Sequence, residues 1–428
     1  MSDLAYHKVH GEKAPAPEGC PVDGEFSPYA ARYLSYPYAW LKIKRENEPV
    51  FYAEELGYVV VTRMEEIQAI FMNPDVYSSQ NVQDPVFPIC DEAAEILAAE
   101  DYNPIAVMSN RQQPDHTRIR KHTQAGFSGR RMKVLEPVIL RRAEELIDAF
   151  LARGAPGEWV SAVGNPLTAE TIFRLLGFPE TDDEQVKAWT NNRLEFTWGR
   201  TDREQQVRVA TNLLAYWRYV ADYVAMRKDH PADDFTSELL SAHAEDPGDL
   251  SYNEVQSIVY GLSFAGHEIV RNMISNTLLC LLGERENWER LCSDPTRVKD
   301  AIEEALRFNS AQTSWRRVTT QDTELGGYEI PAGTPVFISL AAANHDPRVF
   351  DKPERYDMDR GNAAQHIAFG RGIHICLGRL LAKLEIRLVL ETLIRKAPSL
   401  RLAIGQDLRY YPNFSFRGPK TLYLTWDI

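Results

Sequence analysis

Apolar residues recur at two spacings along this chain, and the spacings separate helices from strands. Residues 29–48 carry a helical pattern, and then 49–52 and 58–62 alternate, which predicts a hairpin of two paired strands. Residues 63–72 read as a helix stopped before Asn73-Pro74. The stretch 78–114, with scattered Pro, Asp and Asn, has weak periodicity. Further helical patterns cover 131–153, 166–176, 182–194 and 202–228, the last rich in Trp217, Tyr219 and Tyr223. Residues 252–282 are apolar nearly all round, so this helix should run unbroken through the core. Residues 297–308 are helical, and 315–340 read as strands with turns at 326–333. Residues 377–396 form an amphipathic run with Leu377, Leu380, Leu381, Leu384 and Leu388 at helical spacing, and 400–428 alternate as short strands. The expected fold is mainly α with small antiparallel β-sheets. No repeat or linker interrupts residues 26–428, which predicts one domain behind a flexible polar arm at 1–25.

Composition narrows the function classes. Hydrophobic residues are 44% and charged residues 25% of 428, ordinary for a globular protein with a sizeable core. A net charge of −13 argues against nucleic acid as a partner. The five cysteines (Cys20, Cys90, Cys280, Cys292, Cys376) are scattered and odd in number, which predicts a reducing cytoplasm rather than a disulfide framework. The first 24 residues have no apolar core of signal-peptide length, and no long apolar run predicts a membrane span.

Two local departures from the hydrophobic pattern carry chemistry. Inside 252–282 stand Ala265, Gly266 and Glu268. A glycine there costs about 1 kcal/mol against alanine, so it points to a need for space, and a buried carboxylate must be paired or functional. Arg271, three residues on, is the ordinary partner for Glu268. The second departure is 369–378, Phe-Gly-Arg-Gly-Ile-His-Ile-Cys-Leu-Gly, where a glycine-rich loop hands Cys376 to the first turn of a helix. Helix dipole and free N–H groups stabilise a thiolate at such a place. A dinucleotide fingerprint would need a third glycine where Ile375 stands, and a structural zinc site would need more ligands than His374 and Cys376.

The segment 369–378 resembles the haem-binding loop of the cytochrome P450 superfamily, Phe-Gly-x-Gly-x-His-x-Cys-x-Gly, at every fixed position. The resemblance runs from about residue 30 to the end. It implies the cytochrome P450 fold, with haem b between the 252–282 helix and the Cys376 loop. It implies Cys376 as the iron's thiolate ligand, with Phe369 packed over the sulfur, Gly370 and Gly378 in the loop, and N–H groups near Leu377 and Gly378 tuning it. His116 and Arg120, four apart on one helix face, and Arg317 with His374 are implied as propionate partners, with Arg316 as the alternative to Arg317. Glu304 and Arg307 match the family's Glu-x-x-Arg, and the Pro353–Tyr356 segment implies a buried Glu304–Arg307–Arg355 network. The 182–228 helices are implied as a lid, and 413–418 as a turn into the substrate pocket. Segments 341–347, 366–378 and 413–419 resemble bacterial members linked to thiocarbamate breakdown.

One family position differs. The pattern Ala/Gly-Gly-x-Glu/Asp-Thr is met by Ala265, Gly266 and Glu268, but Ile269 replaces the threonine. Isoleucine cannot donate to oxygen or hold a water, and Thr277 is two helical turns away, about 12 Å. Three alternatives stand for the relay: Glu268 with ordered water, a heteroatom of the substrate, or no relay and a leak of peroxide. The implied reaction is monooxygenation of a small neutral organic compound by O2, with N-, O- or S-dealkylation of xenobiotics as the leading outcome. Electrons would come from an external ferredoxin and an NAD(P)H-dependent ferredoxin reductase, docking near Arg371, Arg379 and Lys383. A peroxide-using peroxygenase is the alternative enzyme, and a haem gas sensor the alternative outside catalysis.

Overall fold

The computed structural model describes residues 13–190 and 193–427. Short β-branched and aromatic runs build three sheets. Strands β1 (Val22–Asp23), β2 (Val50–Ala53), β3 (Tyr58–Val61) and β4 (Tyr77–Ser78) come first, and β5 (Gly157–Glu158) lies apart from them. After them come β6 (Trp315–Thr319), β7 (Thr323–Leu325), β8 (Tyr328–Ile330), β9 (Pro335–Ile338), β10 (Arg401–Leu402) and β11 (Tyr423–Thr425). The main sheet runs β1-β2-β3-β9-β6-β4, with β10-β11-β5 and β7-β8 as smaller sheets. The expected hairpin is β2 against β3, with Phe51 opposite Val60.

Two expectations about strands are corrected. The main sheet is mixed, because β1 pairs parallel to β2 and β3 pairs parallel to β9. The stretch 326–333, expected as turns, holds β8, since the positive-φ glycines Gly326, Gly327 and Gly333 lie at its two ends and the chain between them pairs with β7. Side-chain alternation gives the sheet two apolar faces. Val59, Val61, Val336 and Ile338 share one cluster, and Phe51, Val60 and Phe337 another.

Helices α1 (Asp115–Thr123), α2 (Gly129–Ala152), α3 (Asn165–Leu176), α4 (Arg193–Trp198) and α5 (Arg203–Asp229) follow the predicted order, and with the later helices they enclose the largest core. Ser128 and Asp202 cap α2 and α5, accepting from the N–H of Arg131 and Gln205. The pattern at 182–194 resolves into Asp183–Thr190 and then α4, with residues 191–192 outside the described residues. The pattern at 29–48 is split into Ala31–Ser35 and Pro37–Asn47, because Pro37 has no N–H to continue the first helix. The weakly periodic 78–114 contains one helix, Asp91–Leu97. Residues 1–12 of the expected arm lie outside the described residues, but its later part is packed, with Cys20 buried and β1 paired to β2. Among the described residues no helix is long and apolar enough to cross a membrane.

The expected continuous helix 252–282 is two helices, α6 (Tyr252–Ala265) and α7 (Glu268–Gly283). A Cβ on Gly266 would lie 2.8 Å from Cγ1 of Ile172 on α3, so the backbone meets α3 closely. The Thr168 hydroxyl, also on α3, donates to the His267 carbonyl at 3.0 Å. A close approach and an inserted hydroxyl are ordinary causes of a helix break. The proximal side is closed by α8 (Val298–Phe308) and α9 (Arg379–Lys396).

Candidate active site

The Cys376 loop leads into α9 after a tight path. Gly370 and Gly372 have φ of +68° and +71°, and a Cβ on Gly372 would fall 2.2 Å from the Phe71 carbonyl oxygen. The Cys376 N–H donates to the Phe369 carbonyl at 2.9 Å. Phe369 is buried, with the Lys383 ammonium 5.4 Å from its ring centre. Because α9 starts only at Arg379, with Gly378 at its N-cap, Cys376 lies just before the helix rather than in its first turn. The N–H groups directed at its sulfur accordingly belong to Gly378 and Arg379, one residue beyond expectation. Burial pushes the Cys376 thiol up, against those N–H groups and the positive charges of Arg379 and Arg120.

Four cationic or cation-forming side chains gather beside this loop. The His116 and His374 rings lie 4.2 Å apart. His374 contacts the Ser79 hydroxyl at 3.2 Å and the Met108 carbonyl at 3.1 Å. His116, 1% exposed, has neither ring nitrogen hydrogen-bonded among the described residues. Burial holds His116 down to about 4 and His374 to about 3. Arg120 donates to the Ile375 carbonyl at 2.7 Å. Arg317 is buried, donates to the Arg316 carbonyl and sits 5.2 Å from the Phe71 ring centre. Burial lowers its guanidinium to about 9. Arg316 leaves β6 toward the Val82 and Asp84 carbonyls, which leaves Arg317 as the member of the pair near His374.

On the opposite side, the α6–α7 break exposes Ala265 and leaves Gly266, Glu268 and Ile269 half-buried within an otherwise buried helix pair. Beyond the neighbouring backbone of its own helix, no atom of the described residues lies within 4 Å of a Cβ placed on Gly261, one turn before Ala265. Arg271 directs its guanidinium to Asn165 at 2.9 Å and to Asn272, and lies 5.5 Å from the Tyr411 ring centre. Thr277 donates to the Met273 carbonyl of its own helix at 2.8 Å, so it does not stand in for the missing threonine. Ile269 packs between the largest core and the aromatic cluster of the sheet. Sequence reasoning passed over His267, which is 2% exposed and held down to about 3 by burial and then by Arg271.

The proximal scaffold corrects one expected residue. Arg307 donates to both Glu304 oxygens, at 2.7 and 2.8 Å, with both side chains fully buried. The third charge is Arg360, whose Nε lies 3.0 Å from Glu304; Arg355 is exposed and contributes only its backbone carbonyl. Arg307 also donates to the Asn344 carbonyl, and the Asn344 side chain accepts from Ile367 N–H at the entrance to the cysteine loop.

The donor set fits haem. The partly buried Cys376 thiol would supply a soft ligand, and buried His116, whose ring nitrogens have no partner among the described residues, and buried Arg317, bonded to the Arg316 carbonyl, are donors suited to carboxylates in a dry site. Comparisons agree. The family model described as Cytochrome P450 matches residues 295–397. The biotin biosynthesis cytochrome P450 of Bacillus subtilis (strain 168) is 31% identical over 403 residues, covering 93% of this chain and 98% of the relative. Cytochrome P450 CREJ in complex with (4-ethylphenyl) dihydrogen phosphate superposes with a TM-score of 0.90 at 34% identity, covering 94% of this chain and 99% of that one. An intact type IV self-sufficient cytochrome P450 monooxygenase has a TM-score of 0.93 at 33% identity, covering 98% of this chain and 55% of that one. Matching along nearly the whole length, in sequence and in fold, makes this chain a member of the cytochrome P450 family, a haem-dependent monooxygenase of the bacterial type.

Proposed function

We propose that the enzyme hydroxylates a small neutral organic compound beside nitrogen, oxygen or sulfur, so that the product sheds an alkyl group. Thiocarbamates and aromatic ethers are the substrate classes that fit. The observation that carries the reading is the pairing of a partly buried Cys376 sulfur, faced by two N–H groups, with buried His116 and Arg317 and half-buried Arg120 and His374 beside it. Cys376 would ligate haem b iron, and His116, Arg120, Arg317 and His374 would hold the propionates. Bound haem supplies the activation of O2 that no side chain provides. Phe369 and Gly370 shape the loop that presents the sulfur, and Gly378 directs an N–H at it. Ala265 and Gly266 leave room at the helix break, and Glu268, at the start of α7, would pass protons on at its carboxyl. Ile269 keeps that side apolar.

An external ferredoxin with its NAD(P)H-dependent reductase would deliver electrons to the proximal face. Lys383 is already paired with Glu303 at 2.6 Å, which leaves Arg371 and Arg379 as the better contacts. The five cysteines are free, in keeping with a cytoplasmic site. Residues 26–428 would work as one catalytic unit. A structure similar to this one holds (4-ethylphenyl) dihydrogen phosphate, a compact aromatic compound, which supports aromatic ethers among the candidates.

The test is optical titration of the ferric protein with thiocarbamates, methoxylated aromatics, alkyl ethers and fatty acids, followed by turnover under labelled dioxygen. A saturable spin-state shift with a heteroatom-bearing compound, and one labelled atom in its product, is expected. Shifts with fatty acids alone would overturn the dealkylation reading. Ile269 favours one second reading, use of hydrogen peroxide; turnover with peroxide and no reductase would establish it.

A further inference from the structure

Helix α4 ends on Trp198, whose indole is stacked on that of Trp315, with centroids 4.9 Å apart and planes 24° apart. Arg316, next along β6, places its guanidinium 4.2 Å from the Trp198 ring centre. Trp198 is therefore in contact with both of these neighbours on β6. Trp198 and Arg316 are 2% and 1% exposed. Arg316 is fixed by the carbonyls of Val82 and Asp84. Phe416 stands edge-on to both indoles, at 79° and 78°. Of the stack, Trp315 alone stays partly accessible. Ile269, which replaces the family's threonine, and Trp315 both pack against the aromatic cluster that contains Trp198.

We propose that Trp315 is the stacking platform for a flat aromatic ring of the substrate, the outer leaf of an Arg316–Trp198–Trp315 assembly. The proposal rests on the monooxygenase reading above and narrows its substrates to aryl compounds such as aryl alkyl ethers. Trp315 cannot swing aside, since its backbone pairs with Ile338 and its ring is held by Trp198 and Phe416. A ring that is already ordered offers an aromatic ligand offset-stacking at little entropic cost. An aliphatic ligand gains only apolar burial there.

The experiment is calorimetric and spin-state titration of the haem-loaded protein with 4-methoxytoluene and with dibutyl ether. It compares the parent, Trp315→Phe and Trp315→Leu, with haem content measured for each. Leucine keeps apolar bulk but removes the π-face, so 4-methoxytoluene should bind about threefold to tenfold more weakly. Phenylalanine should hold that loss to about twofold, and dibutyl ether should change by less than about twofold in both variants. Equal losses for the two ligands, no loss for either, or a parent that does not bind 4-methoxytoluene would overturn the platform. A parent that binds only dibutyl ether would do so while leaving dealkylation standing. Binding of 4-methoxytoluene through Trp315 without demethylated product would keep the platform and sink dealkylation. Should Trp315→Leu lose haem, Trp198→Leu replaces it, since removing that support should weaken the aryl ether selectively and an unchanged affinity would count against the proposal.

Discussion

Glu304 is the point where three donors converge, so its removal has a cost that can be worked out. Its carboxylate takes two hydrogen bonds from Arg307, one from the Asp357 N–H at 3.0 Å, and the Nε contact from Arg360. Leucine there leaves two guanidinium groups in a fully buried site without their carboxylate. Breaking a buried pair by deleting one partner costs about 3–5 kcal/mol. Arg307 keeps carbonyl acceptors on Asn344, Pro353 and Arg355, which places Glu304→Leu near the lower end of that range. Arg360→Leu leaves the Glu304–Arg307 pair intact and forfeits one charged hydrogen-bonding partner, about 1.5–3 kcal/mol. Arg355→Ala removes an exposed side chain and should stay within about 0.5 kcal/mol. The assay is urea unfolding at fixed protein and haem concentrations, followed by circular dichroism and haem absorbance together, because bound cofactor itself adds stability. The expected order of destabilisation is Glu304→Leu, then Arg360→Leu, then Arg355→Ala. An Arg355→Ala variant as damaged as Arg360→Leu would refute the assignment.

The other predictions concern the cysteine, the missing hydroxyl and acid stability. Cys376→Ser should abolish product formation and move the absorption band of the carbon monoxide complex of the reduced haem; an unmoved band would remove Cys376 as the ligand. Ile269→Thr should raise product formed per reducing equivalent, and an unchanged or lower ratio in a coupled assay would show that more than the hydroxyl is lacking. Burial, and then Arg307, pushes His345 down to about 3, whereas in the unfolded chain it protonates near its ordinary value of about 6.5. The unfolded state therefore binds the extra proton between these values, so this contribution to stability is complete above about pH 6.5 and is lost as pH falls toward 3. His345→Asn should flatten the fall of the urea midpoint between pH 6 and 4, and an unaltered slope would contradict this account.

What could be read from the sequence was mostly local. The hairpin of Val50–Ala53 and Tyr58–Val61 and the loop around Cys376 are written in neighbouring residues, and the structure keeps both. The break between Ala265 and Glu268 was hidden, because apolar residues continue across it and its cause, Ile172 with Thr168, lies about a hundred positions earlier. Arg355 and Arg360 stand in one loop well after Arg307, and only the folded path shows which guanidinium turns inward. The strand Tyr328–Ile330 was masked by the glycines before it, which read as a turn and are one. Trp198 against Trp315 is a contact between distant elements, and no spacing in the chain announces it.

The segment 413–418 ties the site together late in chain order. Phe414 N–H donates to the Trp198 carbonyl and Asn413 to the Leu194 carbonyl, while Thr313 N–H and the Ser314 hydroxyl donate to this segment's own carbonyls. Asn276 of α7 donates to the Arg417 carbonyl, and Gly418 presses on Asn272. During synthesis, Glu268 and Ile269 emerge well before these partners exist. At about 5–20 residues per second, the interval is roughly 7–30 s. Through that time the half-built wall must stay in contact with solvent or with chaperones, and haem entering earlier would meet a pocket open on one side. Slow translation or a nascent-chain arrest before residue 413 should therefore yield a species that exposes tryptophan and holds the cofactor poorly.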